Sequence, residues 1–275
     1  MKRIKLYYFS GTGNSLKVCK DLKLELEKKT EVEVEIQSMT KLILSKSRII
    51  INKEITGLVF PVYCSDVPRI VREFVNKMAI NIKNPYFFSV VTRGGSKEND
   101  FGNCFFTINK LLKAKQADLG AGYSLRMPES SIIIENPIEK HKQFLQASEA
   151  RVKEIAKVIL VKKRENFKAK NRFNYIKAVL GNCAWTIMKV WFRVNKKEVM
   201  ADKCNNCGVC EKVCPMQNIS RSQGKVHFGK KCEQCFACFH WCPQKAVKIG
   251  ILKAGKKYQY KAPNITIKEI GNSIR

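Results

Sequence analysis

The sequence predicts an α/β protein, a doubly wound five-stranded parallel sheet followed by a small cysteine-rich α+β unit. Three observations carry that expectation. Strand-like and helical patterns alternate through roughly the first 160 residues, as a parallel sheet with crossover helices requires. A turn of small hydroxylic and glycine residues, Ser10-Gly11-Thr12-Gly13-Asn14-Ser15, follows the first strand. The run Cys-x-x-Cys-x-x-Cys-x-x-x-Cys-Pro then occurs twice, the second copy offset from the first by 28 residues, Cys204 to Cys232.

Taken in order, KRIKLYYF after Met1 alternates and then runs apolar, as a strand buried on both faces does. The following helix, over 16–28, sets Leu16, Cys19, Leu22 and Leu26 near helical period. Further strands are expected at 31–37, 55–60, 86–92 and about 117–126, with helices at 67–78, 101–115 and 137–164. Loops at the carboxyl ends of such strands form the ligand crevice of a doubly wound sheet.

A chain of 275 residues, 45% of them hydrophobic, can bury a substantial core and is long enough for two domains. The apolar run Leu6 to Phe9 behind Lys2, Arg3 and Lys5 is too short for an export signal or an anchor, and no stretch reaches about 18 apolar residues. The expectation is a soluble, cytoplasmic protein. Twelve cysteines in that setting argue for metal or redox chemistry over disulfides.

Eight of those cysteines form the two runs Cys204, Cys207, Cys210, Cys214 and Cys232, Cys235, Cys238, Cys242. Three thiolates two residues apart wrap three corners of a 4Fe-4S cube, and in the bacterial arrangement the fourth cysteine of each run ligates the other cluster. That predicts one cluster on Cys204, Cys207, Cys210 and Cys242, and another on Cys232, Cys235, Cys238 and Cys214. Zinc would use two cysteine pairs and would leave the third cysteine and the Cys-Pro unexplained. Residues of about 200 to 250 resemble the two-cluster bacterial-type ferredoxins. The resemblance implies one-electron transfer at low potential and a pseudo-twofold βαβ pair.

The turn after the first strand offers free backbone N–H groups at the positive end of a helix, with hydroxyls beside them, and phosphate suits it. A Rossmann fingerprint needs a third glycine where Leu16 stands, and a Walker loop needs Gly-Lys-Ser/Thr. The turn resembles the phosphate loop of flavodoxins, matched by Ser10, Thr12, Gly13 and Ser15, and that resemblance implies FMN. Pro61, Val62 and Tyr63 after the third strand then belong to the flavin site, with Tyr63 placed to lie on an aromatic ring. Thr92, Arg93, Gly94 and Gly95 after the fourth strand, and Gly102 beyond, complete it, the paired glycines allowing close backbone approach. A Ser/Gly-rich turn is otherwise a helix cap, Tyr63 an ordinary half-buried aromatic and Gly94-Gly95 a surface turn.

As a whole the chain resembles a family of anaerobe proteins that fuse a flavodoxin-like domain to a C-terminal two-cluster ferredoxin. The expected division is a flavodoxin-like FMN domain over 1–165, a basic amphipathic connector over 166–199, a ferredoxin domain with two 4Fe-4S clusters over 200–250, and a C-terminal extension over 251–275. The resemblance implies an electron-transfer iron–sulfur flavoprotein, or a flavin- and ferredoxin-dependent oxidoreductase. No acid–base set is apparent: His141, His227 and His240 are scattered, and His240 falls inside a cysteine run, where it packs or tunes a cluster. Cys19 reads as an apolar core residue, and Cys64 stands out by lying in the expected flavin loop.

A formal charge of +29 remains roughly +23 after two clusters and an FMN phosphate are added. It is densest over 151–202, with 14 Lys or Arg against 4 Asp or Glu. Such a field steers acidic redox proteins, and it also attracts anionic lipid and nucleic acid. Phe173, Ile176, Leu180, Cys183, Ile187, Trp191 and Val194 form an apolar stripe at helical spacing in the connector. The stripe is expected to dock the two domains, with membrane-surface contact as the other use. A basic redox-sensing regulator of nucleic acid, and a ferredoxin with a flavin-free docking domain, remain as other readings, although no nucleic-acid-binding signature is visible.

Overall fold

The computed structural model describes residues 1–95, 101–132, 136–164, 187, 190–191, 193–194, 196–251 and 258–274. Its centre is a five-stranded parallel sheet of β1 (Lys2–Tyr8), β2 (Val32–Ser38), β4 (Ile55–Pro61), β6 (Tyr86–Arg93) and β7 (Leu119–Arg126), in the order β2-β1-β4-β6-β7. Counting only these strands gives 2-1-3-4-5, the flavodoxin-like order, whose ligand crevice opens beside the first strand where the winding reverses. All eight residues of β6 are buried, whereas edge strand β2 alternates buried Val32 and Val34 with exposed Glu33 and Glu35. Helices α1 (Asn14–Leu26), α3 (Arg69–Lys77), α4 (Cys104–Lys113) and α5 (His141–Leu160) flank the sheet. Helix α1 turns Leu16, Cys19, Leu22 and Leu26 inward, as the helical spacing predicts, and burial pushes the Cys19 thiol well up.

Some elements depart from expectation. A short helix α2 (Met39–Leu44) and the parallel pair β3 (Ile49–Ile51) and β5 (Met78–Ile80) are additional, and three-residue strands are too short to show a period. Helix α3 consequently stops at Lys77, because Met78 is taken up by β5. The long helix begins at His141 after a single 3-10 turn, Ile138–Lys140, rather than at 137, and ends at Leu160.

The cysteine-rich unit is built twice. Strand β8 (Lys197–Val199), helix α6 (Val209–Lys212) and β9 (Ile219–Ser222) form one half; β10 (Lys225–Phe228), α7 (Ala237–His240) and β11 (Val247–Ile249) form the other. The halves interlock, β8 pairing antiparallel with β11 and β9 with β10. The left-handed residues repeat at the same 28-residue offset: Asn206 and Gln234, Gly208 and Phe236, Gln217 and Lys245. The expected pseudo-twofold arrangement is thus written into the backbone.

Residues 258–274, expected as a terminal extension, are built into the first unit. Tyr260, Ala262, Ile265, Ile270 and Ile274 are buried, and helix α8 (Ile267–Asn272) starts with a capping box of Thr266 and Glu269. Lys20 pairs with Glu269, and the Ser38 hydroxyl donates to the Ser273 carbonyl. Of the connector stripe, Phe173, Ile176, Leu180 and Cys183 lie outside the described residues. Ile187 and Trp191 are exposed rather than docked, and only Val194 is buried, in the cysteine-rich unit. Among the described residues no helix is long and apolar enough to cross a membrane.

Candidate functional site

The loops that follow β1, β4, β6 and β7 converge at one end of the sheet around a cavity of about 310 Å³. Every residue predicted for the flavin site lines it except Gly13 and Gly102. Gly13 is the N-cap of α1 with φ 100°, and a Cβ there would stand 2.9 Å from that of Ala262. Gly102, with φ 56°, lies behind the cavity wall: its added Cβ would strike the Ser65 carbonyl, and the next amide, Asn103 N–H, donates to that carbonyl at 2.8 Å. Gly102 therefore shapes the Tyr63–Asp66 turn and is corrected from a lining residue to a supporting one.

The phosphate-loop residues are buried and preset. Gly13 N–H donates to Ser10 Oγ at 3.1 Å, and the hydroxyls of Ser15 and Thr92 are 3.0 Å apart, joining the loops after β1 and β6. The tail holds the loop from outside the cavity. Ala262 N–H donates to the Thr12 carbonyl at 2.9 Å, and Tyr260 Oη donates to Asn14 Oδ1 at 2.6 Å. Asn14 Nδ2 in turn donates to the Pro128 carbonyl at 3.0 Å. Hydroxyls, a helix N-terminus and close-packed glycine backbone in one wall fit a phosphate, and the larger remainder of the cavity fits an aromatic ring system.

Tyr63 forms part of that remainder. Its ring meets Phe9 edge-on with centroids 6.0 Å apart, and burial pushes its hydroxyl well up. Cys64 and Ser65 beside it both hold left-handed backbone and line the cavity. Arg93 is buried, donating from Nε to Ser124 Oγ at 2.7 Å and from Nη1 to the Gly95 carbonyl at 2.5 Å. Sequence reasoning missed Glu129, which also lines the cavity. Burial raises its carboxyl above the usual range, against the opposing pull of Ser130 and Ser131 N–H groups that it accepts.

The cysteine-rich unit closes the cavity. Glu233, Gln234, Cys235 and Phe236, from the second cysteine run, line it beside the phosphate loop. Contact is backbone to backbone: a Cβ on Gly11 would fall 2.9 Å from the Cys235 carbonyl oxygen. Phe236 takes φ 55° there, a left-handed conformation that costs a non-glycine residue about 1–3 kcal/mol and persists only where surrounding structure enforces it.

Three residues of the second run fasten the two units. Trp241, buried in the continuous core of the sheet, donates from Nε1 to the Gly11 carbonyl at 2.9 Å. His240 bonds through Nε2 to the Ser130 carbonyl at 2.8 Å and accepts Tyr260 N–H on Nδ1 at 3.1 Å, which defines a neutral imidazole protonated at Nε2. Burial agrees with that state, pushing the imidazole down to about 4. His240 thus ties the units together, a role different from the cluster packing or tuning expected of it. Glu233, whose side chain is almost wholly buried, accepts Ile70 N–H at 3.3 Å and pairs with Arg69 at 3.3 Å. A carboxylate is favourable at the first turn of α3, whose N-cap is Pro68 and has no capping side chain. Glu233→Ala should lower stability by about 1 kcal/mol, the usual worth of a cap, read as a fall in thermal midpoint.

The eight cysteines sort into two groups of four. Cys204, Cys207, Cys210 and Cys242 line a second cavity, and burial, reinforced by Cys242, Cys207 and Cys204, pushes the Cys210 thiol up to about 11. The Cys235 thiol is raised by burial first and then by Cys214, Cys238 and Cys232. Fourth cysteines therefore sit with the other run. Asn218 N–H donates to Cys214 Sγ and Ala246 N–H to Cys242 Sγ, both at 3.3 Å and at equivalent places in the two halves. Such N–H···S bonds tune cluster potentials. Among the described residues no three or more His, Cys, Asp or Glu gather closely enough to hold a single metal ion. Four thiols in each set, three of them from one Cys-x-x-Cys-x-x-Cys loop, are the donor chemistry that fits an iron–sulfur cluster.

A family model for a 4Fe-4S binding domain matches residues 196–219, which include β8 and the first cysteine run. No curated protein matches the sequence. Among solved structures the chain is similar to oxidised flavodoxin 2 from Bacillus cereus, at 15% identity over 58% of this chain and 99% of that one, with a TM-score of 0.41. It is also similar to two-electron reduced flavodoxin from Megasphaera elsdenii, at 16% identity over 53% and 98%, TM-score 0.34. A third is the NAD(P)H:quinone oxidoreductase of Methanothermobacter marburgensis, at 6% identity over 56% and 98%, TM-score 0.37. By its own strand order the first unit has the flavodoxin-like fold, and the C-terminal unit carries a segment similar to 4Fe-4S binding domains.

Proposed function

We propose that the chain is an electron-transfer iron–sulfur flavoprotein, holding FMN in the large cavity and two 4Fe-4S clusters on the crossed cysteine sets. One observation carries this reading: Cys235, a ligand of the second cluster, and Phe236 wall the same cavity as the phosphate loop. Flavin supplies two-electron chemistry when bound, and iron–sulfur clusters supply one-electron steps, so the pair interconverts the two kinds of carrier.

The chain's own residues have distinct tasks in this scheme. Ser10, Thr12 and Ser15 hydroxyls, with the amides at the start of α1, hold the phosphate. Tyr63 and the Thr92–Gly95 loop hold the ring system, and Trp241, His240 and Glu233 keep the cluster loop seated so that solvent stays out of the gap. The acceptor or donor beyond the clusters is an acidic redox protein, attracted by the basic surface.

Titration of FMN into anaerobically prepared, cluster-replete protein tests the reading, with bound flavin counted per chain. Saturation at one FMN is expected; no binding would leave a ferredoxin with a docking domain. Thr12→Val removes one hydroxyl donor from the phosphate and should weaken FMN by about 1–3 kcal/mol in the same titration. Unchanged affinity would reduce the loop to a helix cap.

A further inference from the structure

The two halves of the cysteine-rich unit share a backbone but not a surface. At equivalent positions Glu233, Cys235 and His240 are buried, whereas Asn205, Cys207 and Lys212 are exposed. Where Phe236 faces the flavin cavity, its counterpart Gly208 has the Arg221 guanidinium packed 2.6 Å from the position of an added Cβ. Arg221 Nη1 also donates to the Asn206 carbonyl at 2.9 Å, so this cluster loop carries a cation on its outer side. The second half thus lends its cluster loop to the cavity, whereas the first keeps Asn205, Cys207 and the Lys212 side chain in solvent while Val213 behind them joins the apolar core of the sheet.

Exposed lysines lie within three residues of this set's cysteines along the chain. Lys203 precedes Cys204, Lys212 lies two residues past Cys210, and Lys245 three past Cys242; all three are exposed and form no ion pair among the described residues. The acidic residues next to or within the first run are Asp202 and Glu211, and Glu211 is engaged by Arg221 at 2.7 Å.

We propose that the cluster on Cys204, Cys207, Cys210 and Cys242 is the outer terminal of the electron path, and that the surface carrying Lys203, Lys212 and Lys245 docks an acidic electron-carrier protein. The inference rests on the cluster assignment of the proposed function but not on FMN occupancy. Each transfer moves one electron: the reduced cluster is oxidised by one unit and the carrier is reduced by one, with no bond made or broken. Net positive charge beside an exposed ligand raises the encounter rate with an anionic partner and makes that rate sensitive to salt.

The test uses flavin-free, dithionite-reduced, cluster-replete protein and two haem acceptors, succinylated cytochrome c, which is acidic, and native cytochrome c, which is basic. Haem reduction is followed by stopped flow, so the result does not depend on whether FMN binds. Succinylated cytochrome c should react faster at low salt and slow as salt rises. Lys203→Glu with Lys212→Glu and Lys245→Glu should cut its rate about tenfold or more at low salt and speed native cytochrome c. The same three charges reversed at Lys29, Lys110 and Lys113, beyond the far end of the sheet, should change either rate much less. Equal losses in both variants, or a wild-type rate indifferent to salt, would overturn the docking surface. Should the triple reversal lose its clusters, the Lys→Gln series at the same positions gives the same ordering with smaller changes.

Discussion

Cys214→Ser is expected to empty the cluster site formed with Cys232, Cys235 and Cys238 and to leave the one on Cys204, Cys207, Cys210 and Cys242. Iron should fall from about eight to about four per chain. The variant discriminates because Cys214 lies in the first run by sequence, yet its thiol is raised by burial and then by Cys232, from the second. The site it completes is also the one whose loop walls the flavin cavity. Loss of that cluster should therefore abolish fast transfer between flavin and the surviving cluster while FMN still binds. Loss of the cluster on Cys204, Cys207 and Cys210 instead, seen by electron paramagnetic resonance, would overturn the crossed assignment.

Trp241→Ala should have the largest effect on stability. The side chain is only 2% exposed and belongs to the same apolar core as Phe9, Leu16 and Val59 of the sheet unit. Removing a buried tryptophan costs about 3–5 kcal/mol, because lost transfer energy adds to the cavity left behind. The damage falls at the joint between units, since the indole also caps the Gly11 carbonyl, with the Lys261 ammonium 5.6 Å from the ring centroid. Reduced thermal stability should thus be accompanied by weakened FMN binding. Trp241→Phe keeps most of the apolar bulk and loses the N–H donor, so its penalty should be about 0.5–1.5 kcal/mol, the net worth of one hydrogen bond. Equal thermal midpoints for Trp241→Ala and wild type would contradict the seating of the cluster unit on the sheet.

The sheet strands and the two ligand motifs were legible because each is encoded locally. Strands β4 and β6 are apolar runs between turn residues, the phosphate loop is one hexapeptide, and the cysteine spacing repeats intact. What one sequence does not reveal is which outer faces meet. Trp241, His240 and Glu233 sit inside the cysteine motif, where His240 alone carries an expectation, that of packing or tuning a cluster, yet each bonds to the sheet unit. A signal was present in the repeat itself: Asn205, Lys212 and Val213 become Glu233, His240 and Trp241 one repeat later. The tail was equally opaque, since Tyr260 and Ala262 carry no motif and gain meaning only against Thr12 and Asn14. Gly102 follows the fourth-strand loop in sequence and so falls among the expected flavin-site residues, whereas its positive φ and its contact with Ser65 serve the neighbouring turn.

In the proposed function, flavin and clusters form one internal electron path across the wall made by Gly11 and Cys235. Its most direct test is flash photoreduction of FMN-loaded, cluster-replete protein under anaerobic conditions, with flavin and cluster absorbance followed at several protein concentrations. Reduced flavin should pass electrons to the clusters at a rate independent of protein concentration. Clusters that stay oxidised, or that respond only at a rate proportional to protein concentration, would contradict it.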